Sequence, residues 1–322
     1  MGVCVDPLED VLALLGLRSH LSAGLRAGGR WAVRFRAPTG VKFNAVRRGT
    51  CLLQVEGADP VTLRAGDCYL LTKPLPFVLR SEPAAVPVDG EDAVPVDAEA
   101  VYATTERGLA RTGDGDGDEV LLIGGSFALS ERSPALLLNE LPPVIHVPAD
   151  SSHAETLQWA LAQISEELLN GQMGSSLVAE QLATVMFVHI LRLHLARDTS
   201  SAAGLLTGLR DPVVATALAC LHERPERPWT VADLARSCVV SRSTLAARFK
   251  ELVGQSPIDY LGRWRVELAG RRLRQDDGTI AAVARAVGYG SESAFSTAFK
   301  RATGVAPRDY RSRYRAAAGP VG

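Results

Sequence analysis

The sequence predicts an α+β protein in two parts: a β-rich barrel or sandwich closed by two helices in front, and an all-α domain behind. Three observations carry this. Short alternating apolar runs broken by Gly, Pro and Asp fill 28–129, the pattern of half-buried strands. Beyond residue 150 the apolar residues recur at helical spacing. Near the C-terminus SESAFSTAFKRATGVAPRDYR (291–311) repeats SRSTLAARFKELVGQSPIDYL (241–261), with eight of twenty-one positions identical. Such self-similarity marks one supersecondary element used twice.

Bulk properties bound the class. A chain of 322 residues, 47% hydrophobic and 22% charged, describes an ordinary soluble globular protein, of about two domains at roughly 150 residues each. The opening MGVCVDPLEDVLALLGL carries acids where a secretory signal carries Lys or Arg, and Asp6 stands where N-myristoylation needs Ser or Thr. The longest apolar run, LVAEQLATVMFVHILRLHL, is interrupted by Glu180 and Arg192, so no membrane span is expected. Cys4, Cys51, Cys68, Cys220 and Cys238 lack paired spacing and read as reduced thiols, which makes the expected location cytoplasmic.

Taken in order, the strand candidates are RWAVRFRAP, VKFNAVRRGTCLLQVEG, VTLRAGDCYLL, FVLRS, AVYATTER and EVLLIGGSFAL. Two helices follow. HAETLQWALAQISEELLN (153–170) keeps Leu157, Leu161, Ile164 and Leu168 on one face. SSLVAEQLATVMFVHILRLHLAR (175–197) is apolar nearly all round, with a polar stripe at Gln181, Thr184 and Arg192. Such a helix must be covered on more than one side, by its own domain or by a second subunit. DTSSAAGLLTG reads as linker, which sets a front domain at 1–197, a linker at 198–210, a back domain at 211–315 and a flexible tail at 316–322.

The back domain opens at Asp211, an N-cap with Pro212 at the first helical position. Thr230 with Asp233 makes a capping box ahead of a helix that turns Val231, Leu234 and Cys238 inward. After VVS a second helix buries Leu245, Phe249 and Leu252 and stops at Gly254 with Pro257 behind. This is helix, short turn, helix, the unit that presents its second helix to a DNA major groove. Downstream Ile280, Val283 and Val287, then Phe295, Phe299 and Ala302, repeat the inward set, ending at Gly304 before Pro307. The outward residues differ: Arg242, Ser243, Ala246 and Ala247 against Glu292, Ser293, Ser296 and Thr297. Two copies with one core and two exposed faces suit reading two base sequences with one scaffold.

Between the copies PIDYLGRWRVELAGRRLRQ forms one helix with Leu261, Trp264 and Leu268 inward. Its Arg263, Arg271, Arg272 and Arg274 are expected to face phosphates, as are Lys250, Lys300 and Arg301. Charge agrees. Residues 221–322 hold eighteen Lys and Arg against ten Asp and Glu, a net of +8, which leaves −9 on 1–220. A basic helical domain is the electrostatic footprint of a nucleic-acid binder.

WTVADLA, SRSTLAARFKELVG, SPIDYL, the WR at 264–265, IAAVARAVGY, SESAFSTAFKRATG and the P..YR of Pro307, Tyr310 and Arg311 resemble the AraC/XylS-type DNA-binding domain across 211–314. The resemblance implies two helix-turn-helix units on a central helix, double-stranded promoter DNA as partner, and contact with RNA polymerase in an activator. Val239-Val240 stands in the first turn where Gly288-Tyr289 stands in the second. The front, through RWAVRF, RRGTCLLQVEG, RAGDCYLL and LPPVIHVPAD, resembles the cupin-like sensory domain of one AraC-type subgroup. That implies a small organic effector and a homodimer.

Cupin enzymes hold a metal with a His-x-His pair and a third His, but VKFNAVRRG carries Asn44 and no histidine, so neither metal nor cofactor is expected. DGDGDE (114–119) lacks the glycine and terminal glutamate of a calcium loop, and reads as an acidic hairpin tip. His189 and His194 fall on different helix faces, and no nucleophile joins His146 and His153, so no catalytic residue is assigned. Trp31, Phe35, Phe43, Tyr69, Tyr102 and Phe127 either line an effector pocket or are core. The expected function is a non-enzymatic, sequence-specific transcription regulator. The alternatives are a cupin-type metal enzyme with a DNA-binding tail, or a regulator whose front domain only dimerises.

Overall fold

The computed structural model describes residues 6–81, 94–105, 108–115, 118–129, 138–151, 154–170, 172–197, 203–275 and 278–318. Contacts gather the chain into two compact units that are not its two halves. One takes 17–129 with 141–199; the other takes the first sixteen residues, 130–140 and everything from 200 onward.

In the first unit β1 (Arg18–Gly28), β3 (Val41–Arg48), β6 (Cys68–Leu71), β9 (Leu109–Gly113), β10 (Glu119–Ala128) and β11 (Val144–Val147) form a six-stranded sheet in the order β11-β6-β3-β10-β1-β9. The strands β2 (Ala32–Phe35), β4 (Thr50–Val55), β5 (Val61–Arg64), β7 (Phe77–Ser81) and β8 (Val96–Asp97) form a second, in the order β5-β4-β7-β2-β8. Leu25, Trp31, Val46, Leu53, Tyr69 and Phe77, drawn from strands of both sheets and the β1–β2 connection, share one buried core, which Val101 of α2 (Ala98–Tyr102) joins. The opposite face of the large sheet is also buried, because a helix covers it: Phe43 packs on Phe127, and Phe127 on Phe187, each at 4.9 Å.

That helix is α4 (Ser175–Arg197), preceded by α3 (Glu155–Asn170). Leu157, Leu161 and Ile164 are buried as the period predicts; the Leu168 side chain lies outside the described residues. By length and composition α4 could cross a membrane, yet it lies on α3 and β1 with Ala183, Met186, Phe187 and Ile190 buried. Its other side leaves Leu177, Val178 and Val185 exposed, so among the described residues it is covered on one side.

The second unit consists of α1 (Pro7–Leu15), a helical turn at Leu138–Glu140, and eight helices: α5 (Leu205–Leu209), α6 (Pro212–Glu223), α7 (Val231–Ser237), α8 (Arg242–Val253), α9 (Pro257–Gln275), α10 (Ile280–Ala286), α11 (Glu292–Thr303) and α12 (Pro307–Ala318). The caps sit where the sequence puts them. Asp211 accepts from the Val213 and Val214 N–H groups at 3.0 Å each, and the Thr230–Asp233 box closes in both directions. Ser241 and Ser291 cap α8 and α11, and Gly254 and Gly304 end them with φ +80° and +76°.

Five expectations are corrected. AVYATTER, read as a strand, begins in helix α2 (Ala98–Tyr102) and continues as a turn. Residues 205–209 are not linker but a helical turn, because Leu205 and Leu206 fill a groove beside α6 and α8. The last helix runs to Ala318 rather than giving way to a tail at 316. Ala302 is exposed, since the helix buries Phe295 and Phe299 one turn apart and carries 302 past the core. In α8 it is Val253 that is fully buried, with Leu252 only half-buried.

Candidate nucleic-acid interface

Exposure over 242–247 of α8 and 292–297 of α11 is the same. In α8 Arg242, Ser243 and Ala247 are exposed and Ala246 half-buried, with Leu245 and Phe249 inward; in α11 Glu292, Ser293 and Thr297 are exposed and Ser296 half-buried, with Phe295 and Phe299 inward. The structure therefore brings each predicted base-reading set onto one face of one helix. Lys250, Lys300 and Arg301 are exposed beside those faces, as are Arg263, Arg271 and Arg272 on α9. Two of the polar groups carry neighbours already: Ser243 Oγ lies 3.0 Å from Ser241 Oγ, and Glu292 pairs with Arg308 at 3.8 Å.

Several cations serve the scaffold. Arg265 Nε donates to the Pro225 carbonyl at 2.6 Å and Nη2 to the Arg227 carbonyl at 2.8 Å, pinning α9 to the loop before α7. Arg274, expected at phosphates, instead donates to the Tyr310 hydroxyl and lies over the Tyr314 ring, because it flanks the buried stripe that meets α12. Arg248 Nε holds Asp211 Oδ2 at 2.9 Å. Arg263 donates to Gln255 at 3.5 Å, and its charge pulls against the burial that raises the Glu140 carboxyl.

A polar network missed by the sequence reading sits under α6. The His222 ring stacks on Trp264 at 4.0 Å, with Nδ1 3.1 Å from Asp10 Oδ2 and Nε2 2.7 Å from the Tyr260 hydroxyl. Burial holds the imidazole below its ordinary pKa and outweighs the Asp10 carboxylate, which pulls it up. A carboxylate only accepts, so Nδ1 carries the proton and Nε2 accepts from Tyr260. No local pattern announces a pair 212 residues apart.

In the front unit the six aromatic candidates do not line one space. Trp31 and Tyr69 lie in the core shared by the two sheets, Phe35 and Tyr102 pack against it, and Phe43 and Phe127 turn to the helix side. Strand alternation makes the division: Asn44, next to Phe43, points the other way and donates to the Tyr69 hydroxyl at 2.7 Å. Burial, helped by Cys51, pushes the Tyr69 phenol well up; burial pushes Tyr102 up to about 12. The Trp31 Nε1–H is buried without a hydrogen-bond partner among the described residues. Among those residues no three His, Cys, Asp or Glu side chains gather as a metal site.

Comparison with known proteins follows this layout. Residues 6–196 match a family model described as cupin, and residues 234–313 one described as a helix-turn-helix domain. The chain is 60% identical over 308 residues to an AraC-like transcription regulator of Streptomyces lividans, spanning 95% of this chain and 98% of that one. It is 58% identical, with the same coverage, to an AraC-like transcription regulator of Streptomyces antibioticus. Among solved structures, the DNA-binding domain of AdpA, a global transcriptional factor, in complex with a target DNA is 35% identical and covers 35% of this chain and 99% of that one, with a TM-score of 0.32.

Proposed function

We propose, this chain being a member of the AraC-like family of DNA-binding transcription regulators, that α8 and α11 read bases in two successive major grooves under the control of a small organic effector held by the cupin domain. The observation that carries the DNA half is the matching exposure of 242–247 in α8 and 292–297 in α11 over different residues. Arg242, Ser243, Ala246 and Ala247 then face the first block of bases and Glu292, Ser293, Ser296 and Thr297 the second, while Lys250, Lys300, Arg271, Arg272 and Arg301 hold phosphates. Each chain would protect two stretches about one helical turn, roughly 10 bp, apart. Footprinting on a site selected from random oligonucleotides tests this; a single protected groove would refute it.

Support for the effector is the polar content at the inter-sheet core: the Trp31 N–H, without a partner among the described residues, the Tyr69 hydroxyl, and Tyr102 packed against that core. Replacing Tyr102 by Phe should blunt the response to an effector while leaving effector-free DNA binding intact; an unchanged response refutes the pocket. The exposed Trp159, Leu177, Val178 and Val185 on α3 and α4 support a homodimer through the front domain, which sedimentation of the purified chain checks. Such a regulator works in the cytoplasm on promoter DNA, and meets RNA polymerase when it activates.

A further inference from the structure

The two helix-turn-helix units are built alike but are not held alike. The second is supported from within the helical half. Its core of Val266, Leu273, Ile280, Phe295, Phe299 and Tyr310 lies wholly between residues 266 and 310, and the end of α11 is tied by Thr303, whose hydroxyl donates to the Phe299 carbonyl at 2.8 Å. The first borrows its supports from the front of the chain.

The borrowed contact runs through α5. Helix α8 ends at Val253, so the Leu252 carbonyl has no partner inside the helix. The Gly204 N–H, at the start of α5, donates to it at 2.8 Å. Helix α5 also presses close on α8, since a Cβ at Gly208 would stand 2.7 Å from Val253. The start of α5 in turn has no cap from its own sequence, because Gly204 has no side chain to give one. Glu140 supplies the cap: its two carboxylate oxygens accept from the Leu205 and Leu206 N–H groups at 2.6 and 2.8 Å. Gly204 is also what makes room, for a Cβ there would land on the Glu140 carboxyl. Glu140 lies between β10 and β11 in the chain, within the residues that match the cupin family.

We propose that Glu140 is a positioning residue for the first recognition helix: through α5 it sets α8, and with it the reading of the first block of bases, while the second block does not depend on it. Asp10 of α1, bonded to His222 beneath the same half, shows the same dependence on the front of the chain. The inference rests on the two-groove reading above.

The test uses the full-length chain and its selected DNA site, with each base block scrambled in turn, to obtain a discrimination ratio per block. Glu140→Ala removes the cap from one side and Gly204→Ala displaces it from the other, at a residue whose φ of 174° strains no side chain. Each should lower first-block discrimination about fivefold to tenfold, as expected for a lost helix cap. Second-block discrimination should stay within about twofold. The double variant should be no worse than the more severe single one, because both remove one contact. Unchanged first-block discrimination in both variants, parallel loss at both blocks, or additive effects in the double variant would each overturn the proposal. A wild-type chain that reads one block only would sink the two-groove reading itself, and the inference with it.

Discussion

Val239 and Gly288 occupy the same place in the two helix-turn-helix turns, both in the left-handed region, at φ +56° and +88°. The backbone bonds correspond one for one: Val239 and Val240 donate to Arg236 and Ala235 as Gly288 and Tyr289 donate to Arg285 and Ala284. The hydrogen bonds, not the residue type, set the turn. A β-branched residue there carries strain of about 1 to 2 kcal/mol, against which glycine would lose about 0.5 to 1 kcal/mol of chain entropy. Val239→Gly should therefore stabilise the protein by about 0.5 to 1 kcal/mol. Chemical denaturation checks this, and a less stable variant would contradict the account.

The reverse change should be costly. A Cβ on Gly288 would stand 2.6 Å from the Glu226 carbonyl oxygen and 2.8 Å from Arg265 Nη2, in the group that pins α9 to the preceding loop. Backbone strain and displacement of Arg265 act together in Gly288→Ala, which should lose more than about 2 kcal/mol in the same denaturation experiment.

Asp211 does two jobs, and the substitutions separate them. Asp211→Ala removes the cap of α6 and should cost about 1 to 2 kcal/mol. Arg248→Ala removes only a pair that is nearly half exposed on the arginine side, and should cost about 0.5 kcal/mol or less. Thermal melts of the two variants give the comparison; equal losses would mean that the pair, not the cap, holds α6.

The helical half was legible because its signals are local. The caps at Asp211, Thr230 and Asp233, the stops at Gly254 and Gly304, and the inward Phe249 and Phe299 all follow from neighbours within one or two turns. What the sequence hid is carried by single long-range contacts. Asp10 to His222 and Glu140 to Leu205 leave no periodicity behind, so α1 and Leu138–Glu140 read as parts of the front domain and α5 as linker. The face of Phe43 was recoverable in principle from the alternation with Asn44, but only with the strand's start known. For Arg274, composition says "phosphate" and only its position beside the buried Leu273 says "scaffold".

Stability should fall on mild acidification through His222. Its pKa is lowered in the folded protein, chiefly by burial, so below the unfolded value of about 6.5 the unfolded chain binds more protons than the folded one. The neutral ring's contribution is fully present above that value and is lost as pH falls beneath it, at no more than about 1.4 kcal/mol per pH unit. His222→Gln should be less stable than the wild type at pH 7.5, with the difference shrinking toward pH 5.5. Denaturation curves at both values decide it, and a difference that widens in acid would show that the ring is held protonated.

The two kinds of DNA contact should separate by chemistry. Ser296 is half-buried and Thr297 exposed on the face of α11 that the two-groove reading turns to the bases, where their hydroxyls would meet base edges. Arg271 is exposed on α9, between the units, where a cation can meet only backbone phosphate if both recognition helices are docked. Replacing Ser296 and Thr297 together by Ala should relax preference at the second block and leave the dependence of affinity on salt nearly unchanged. Arg271→Ala should weaken every sequence alike and lower the slope of log affinity against log salt by about 1. Affinities for the selected site and for block-scrambled sites, measured across several salt concentrations, test both. The roles would be misassigned if the arginine variant lost sequence preference, or if the hydroxyl variant lost salt dependence instead.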